Sequence, residues 1–141
     1  MTEFTLSATV DAPYEATVEQ VRALLGDAGF GVLTEIDLQA TLRAKLGVET
    51  PPRVILGACR PPLAYAALQA DPRIAAMLPC NVVVSATSDT ATKVEVFDPE
   101  AMVSFSDAEA IAGVAADARQ RLSKMLDSLA AAEGVSSATR S

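Results

Sequence analysis

The sequence predicts a single α+β domain, a largely antiparallel sheet with helices on one face, in the order β-α-β-α-β-α-β-β-α. Three observations carry this prediction. Phe4, Leu6, Ala8 and Val10 alternate with Thr5, Ser7 and Thr9, the period-2 pattern of a half-buried strand. Two long stretches, one from Tyr14 to Leu25 and one from Ile111 to Leu129, repeat apolar residues at helical spacing. Between them lie two strand-like runs, Asn81–Val84 and Thr92–Phe97, separated by small polar residues with a Ser88-Asp89 turn signal. Strands and helices mixed in this way, with a hairpin late in the chain, point to an α+β domain. At 141 residues and 50% hydrophobic content, the chain can bury one ordinary core. Residues 1–133 read as the domain and residues 134–141 as a C-terminal tail.

Each element has its own local reason. After the first strand, Asp11-Ala12-Pro13 turns into a helix whose Tyr14, Val18, Val21 and Leu25 share one face, closed by Gly26 and Gly29. Phe30 to Ile36 is the second strand. Asp37 is placed to cap a short helix carrying Leu38, Leu42 and Leu46, and Gly47 is its stop. Thr50-Pro51-Pro52 breaks the chain before a third strand over Arg53 to Ala58. Pro61-Pro62 opens a helix through Leu63, Ala67 and Leu68, Asp71-Pro72 interrupts it, and Leu78-Pro79 ends it. The consecutive Val82, Val83 and Val84 predict that part of the fourth strand is covered on both faces, and a second subunit is the simplest cover. Asp98-Pro99 is a turn. Ser106 and Glu109 have capping-box spacing before the last helix, whose stripe runs Ile111, Val114, Ala118, Leu122, Met125 and Leu129 to Gly134.

Composition removes whole classes of function. The chain has no histidine, which excludes Ser–His and Cys–His catalysis, histidine metal sites and a histidine proton shuttle. A formal charge of −7 argues against nucleic acid, because phosphate contacts need clustered cations. Gly26, Gly29 and Gly31 follow a helix and precede a strand, the wrong order for a phosphate-binding loop. Met1-Thr-Glu-Phe-Thr-Leu has neither a basic nor an apolar signal region, and no stretch approaches the roughly 18 apolar residues of a membrane span. The expectation is a cytoplasmic protein, without membrane contact, that keeps Cys59 and Cys80 reduced.

Three stretches resemble a bacterial family, the domain of unknown function 302 (DUF 302). They are Phe30 through Gly47, Ile55-Leu-Gly-Ala-Cys-Arg-Pro-Pro-Leu-Ala64 running on to Leu78-Pro-Cys-Asn-Val-Val-Val84, and Asp98-Pro-Glu-Ala-Met102. The resemblance covers Phe4 to Leu129, with the two cysteine motifs as its specific part. It departs at Arg60, where the family usually has Asn. The resemblance implies a TATA-box-binding-protein-like α+β fold and a homodimer, and no established activity. The acidic charge separately argues that such a sheet is not a DNA saddle here.

What chemistry remains centres on the two cysteines. Cys59 ends a strand just before the Pro61 helix, and Cys80 sits between Leu78-Pro79 and the next strand. Both behave as small buried apolar residues in the plainest reading. A second reading is a reactive or redox-sensing thiol at Cys59, with the N–H groups of the helix start and Arg60 lowering its pKa. A third is a soft-metal site in which Cys59 and Cys80, with Met77 or Met102, suit Cu(I) better than zinc. Arg60 and Asn81 flank the cysteines and join them as ligand-binding candidates. Glu35 and Asp37, two apart on a strand, are a conceivable acid pair; a solvated Glu35 beside a helix-capping Asp37 is the simpler account. The leading expectation is a non-enzymatic homodimer binding a small ligand or soft metal near Cys59 and Cys80. The alternatives are a thiol-dependent enzyme or redox sensor using Cys59, and a purely structural or interaction domain.

Overall fold

The computed structural model describes residues 3–132 and 139–140. In chain order the elements are β1 (Thr5–Val10), α1 (Tyr14–Asp27), β2 (Gly31–Asp37), α2 (Leu38–Leu46), β3 (Arg53–Cys59) and α3 (Pro61–Ala70). A 3-10 segment (Pro72–Met77), β4 (Cys80–Ser88), β5 (Ala91–Phe97), a second 3-10 segment (Pro99–Phe105), α4 (Glu109–Ala132) and β6 (Thr139–Arg140) complete it. This is the expected order of strands and helices. The two 3-10 segments refine it: the second replaces the simple turn expected at Asp98-Pro99, and Asp98 caps it by accepting the Glu100 N–H.

The sheet runs β2-β3-β4-β5-β1-β6, and every pairing among the described residues is antiparallel. Because β1 and β2 stand at opposite ends of the five main strands, α1 must cross the whole sheet between them. The pleat then decides burial. Leu56, Val82, Val96 and Leu6 follow one another across the strands in register, all on the face carrying α1 and α4. Val21 and Leu25 of α1, with Leu122, Met125 and Leu129 of α4, close over that face. Each such side chain contributes about 1.5–3 kcal/mol through burial. The opposite face carries another row in register: Ile36, Ile55, Val83, Glu95 and Ser7. It is apolar over β2, β3 and β4 and polar over β5 and β1, where Thr5 donates to Glu95 at 2.9 Å. Val83 is half-buried, so the chain alone covers this strand fully on one side only.

Four helix ends show how local chemistry fixes the path. Gly29, at φ +91°, closes α1: its N–H reaches Gly26 O at 3.0 Å and the Phe30 N–H reaches Leu25 O at 2.9 Å. This reciprocal closure drops Phe30 into the core. Asp37 caps α2 as expected, its Oδ1 accepting the Ala40 N–H at 2.9 Å, and Gly47 ends that helix at φ +68°. The Ser106–Glu109 box does not close in the expected register, because α4 begins at Glu109 itself. Instead the Ser106 hydroxyl donates to Asp71 Oδ2 at 2.7 Å and accepts the Ala108 N–H. Asp71 also takes the Arg73 guanidinium and the Arg73 N–H, and these bonds hold its carboxyl well below the usual carboxylate range. The Asp71 knot ties the segment between α3 and β4 to the start of α4. The expected helix end at Gly134 lies outside the described residues, as does most of the expected tail; Thr139 and Arg140 pair with Thr9 and Ala8 of β1.

Candidate functional site

Antiparallel pairing sets Ala58 opposite Cys80 and Gly57 opposite Asn81. Cys59, the last residue of β3, and Cys80, the first of β4, therefore lie at the same end of neighbouring strands. Both thiols are free. The chain leaves this end through Arg60 into α3 and returns through the 3-10 segment and a cis Leu78–Pro79 bond. Cys59, Arg60, Cys80 and Met102 line one cavity of about 30 Å3 beneath α3 and α4. Its remaining wall is hydrocarbon, including Phe30, Leu63, Val114 and Ala118.

The electrostatics differ from the sequence expectation in one respect. A helix start beside Cys59 was expected to offer N–H groups to a thiolate. Pro61 and Pro62 have no N–H to offer, and the next two donors, from Leu63 and Ala64, both bond Arg60 O at 3.0 Å. The start of α3 is thus spent. At Cys80, burial pushes the thiol up to about 11, with Cys59 adding to the rise, so Cys80 is protonated at neutral pH. Among the described residues, the one cation in the cavity wall is Arg60. Its Nε is buried with no hydrogen-bond partner among the described residues. A Cβ added to Gly29 would come within 3.0 Å of Arg60 Nη1 and 3.6 Å of Arg121 Nη1, so two guanidinium groups converge over that bare glycine. Arg121 is satisfied by Asp117 at 2.6 Å and by Ala28 O at 3.0 Å. Arg60 is not.

The structure separates the other residues singled out from the sequence. Met102 is buried and joins the cysteines, whereas Met77 packs at the margin of the small apolar cluster around Ile74 and Ile111 and lines other grooves. Asn81 is exposed and faces a groove with Pro79 and Phe97. Glu35 pairs with Arg22 of α1, and Asp37 is occupied as the α2 cap. Among the described residues no group of three or more His, Cys, Asp or Glu side chains could hold a metal, so the donors gathered here are two thiols and a thioether. Sequence reasoning missed Phe30 and the Val114–Ala118 pair as walls of the site. Their signal, apolar residues four apart on α4, is indistinguishable from ordinary core. A larger concavity, about 450 Å3, lies elsewhere, between the end of α1 and α4.

Fold and site together define a small mixed α+β domain with a sulfur-lined cavity at one end of its antiparallel sheet. The chain belongs to the family described as domain of unknown function DUF302, which matches residues 6–129. It is similar to the crystal structure of an uncharacterized conserved DUF302 protein from Bacillus stearothermophilus, at 31% identity and a TM-score of 0.81, over 89% of this chain and 98% of that one. No curated protein matches this sequence. No helix among the described residues is long and apolar enough to cross a membrane.

Proposed function

We propose that this chain is a non-enzymatic binding protein for a soft monovalent metal ion, Cu(I) by its chemistry. The observation that carries this reading is the convergence of Cys59, Cys80 and Met102 on one cavity. Thiolate and thioether donors select Cu(I) among common ions. Size narrows the choice further. A cavity of about 30 Å3 takes a single ion or a water or so. A pocket for an organic ligand spans roughly 300–1,000 Å3. Two free thiols remain reduced in the cytoplasm, which is where this reading locates the protein. The apolar row Ile36, Ile55 and Val83 on the open sheet face supports a homodimer covered there by a second copy.

The test is retention of Cu(I) against a competing chelator. Wild type should hold the ion, the Cys59→Ser, Cys80→Ser double variant should release it, and Met102→Leu should weaken it while keeping the core volume. Equal retention by wild type and the double variant overturns the metal reading. A monomeric mass by light scattering overturns the dimer. A thiol-redox role for Cys59 is the second reading, favoured by two free thiols at the ends of paired strands. An iodoacetamide profile with an ordinary thiol midpoint and slow reaction at Cys59 would sink it.

A further inference from the structure

The concavity of about 450 Å3 between the end of α1 and α4 has the size of an organic-ligand pocket, roughly 300–1,000 Å3. Leu24, Ala28 and the buried Met125 give it an apolar floor, and Arg121 and Lys124 stand in its wall. Arg121 is held in place, donating to Asp117 at 2.6 Å and to Ala28 O at 3.0 Å. Next to Ala28, Gly29 is exposed and has no side chain. Arg121 Nη1 and Arg60 Nη1 both lie within 3.6 Å of the point its Cβ would occupy. Arg60 arrives there from the cysteine cavity; it is half-buried, with its Nε enclosed and its Nη1 out at the open glycine. Among the described residues no ion pair involves Arg60 or Lys124. The carboxylates facing this space are Asp27 and Asp117, and Asp117 is taken by Arg121. Cations therefore outnumber carboxylates here, on a chain whose formal charge is −7.

We infer that the end of α1 is a binding site for a small organic oxyanion, a carboxylate or a phosphate monoester. Its charged head bridges Arg60 and Arg121 over the bare Gly29, and its apolar body rests on Leu24 and Met125. Guanidinium groups present paired N–H donors that match the oxygens of either head, and their preorganisation lowers the entropy lost per bond. Both are preorganised here, Arg121 by its two bonds and Arg60 by the packing around its Nε. Lys124 adds a point charge on the same wall. The bare glycine keeps the space open, since a Cβ would stand 3.0 Å from Arg60 Nη1. The site uses no sulfur donor and is independent of the metal reading.

The experiment titrates the full chain at low salt with phenyl phosphate, benzoate, inorganic phosphate and neutral benzyl alcohol, following backbone amide signals. At least one of the two aromatic anions should bind saturably, shifting the amides of residues 24–29 and 120–128, and benzyl alcohol should not. Tighter binding of benzoate assigns a carboxylate head, and tighter binding of phenyl phosphate assigns a phosphate head. Arg60→Gln should weaken the tighter probe roughly 10–100-fold, the loss of a charge-assisted hydrogen bond. Arg60→Lys, which keeps the charge without the fork, should recover part of it. Lys124→Gln, at an exposed position, should weaken it less. Arg121 ties α1 to α4, so Arg60 and Lys124 carry the test, and the signal dispersion of each variant shows that it is folded. No saturable shift with either aromatic anion at millimolar concentration, or equal affinity in wild type and Arg60→Gln, overturns the site. Inorganic phosphate binding as tightly as phenyl phosphate overturns the organic ligand.

Discussion

The helices α2 and α4 carry the same sequence signal and meet opposite fates. In α4, Leu122 and Leu129 are fully buried against the sheet and α1, and Ile111 is fully buried against Ala67, Ile74 and Met102. In α2, Leu38, Leu42 and Leu46 have a comparable spacing, yet the helix has no buried residue and Leu46 is 68% exposed. The strand beside it behaves alike: β2 is the sheet edge, and Leu33 and Ile36 lie open. An apolar stripe states which face a helix would bury. Whether anything lies against that face depends on neighbours distant in sequence. At the β4–β5–β1 centre those neighbours are present, and at the β2–α2 edge this chain supplies too few.

Mutations can break or sharpen that contrast. The largest effect is expected in the centre. Leu122→Ala should cost about 2–5 kcal/mol, read as a lower urea midpoint with an unchanged slope, because its site is packed on all sides. A loss below about 1 kcal/mol would mean that the α4 interface is far looser than the burial indicates. Next comes Gly57 in β3, where close approach leaves no room for a side chain. An added Cβ would collide with Thr34 Oγ1 and come within 2.8 Å of Pro79 Cγ. Gly57→Ala should therefore destabilise by about 1–3 kcal/mol in chemical denaturation, and a neutral result would show that Thr34 simply turns aside.

At the edge, the Asp37→Ala variant removes the α2 cap and should cost about 1 kcal/mol. Faster amide exchange confined to residues 38–46 is the expected signature, and exchange rising equally across α4 would contradict the separation of the two regions. A further effect appears in acid alone. Asp71 is held ionised by Arg73 and Ser106, so its contribution is present above the unfolded carboxyl pKa of about 3.9 and fades as pH falls through the lower folded value. Wild type should lose stability below about pH 4 more steeply than Asp71→Asn; parallel curves would count against the knot. The smallest effect belongs to Leu46→Ala, within about 0.5 kcal/mol for the dilute chain. A larger loss that grows with protein concentration would place Leu46 in the dimer contact.

Much of the fold was legible because it is written in short-range chemistry. Period-2 alternation marked β1, prolines and glycines marked the breaks, and Asp37 announced its cap from its position before a leucine repeat. The capping box at Ser106 misled for an instructive reason. Asp71, thirty-five residues away, accepts the hydroxyl proton and holds Ser106 beside the segment after α3, so the Ser106 oxygen accepts the Ala108 N–H ahead of a helix that begins only at Glu109. The site was half legible. Both cysteines could be placed at strand ends, but their meeting depends on the Ala58–Cys80 register, and Met102 rather than Met77 joins them because of how the second 3-10 segment packs on α4. Nothing local to Arg60 foretold that its Nε would be buried without a partner.

The sequence by itself therefore determined the elements, their order, the acidic and histidine-free chemistry, and the family to which the chain belongs. Those follow from hydrophobic period, backbone restrictions and charge, which act over a few residues or over the whole composition. Only the tertiary structure decided which apolar stripe is buried, that the start of α3 has no donors left for Cys59, and that two thiols, a thioether and an Arg60 Nε with no partner among the described residues share one cavity. These depend on strand register and close packing between distant segments, which no local pattern encodes.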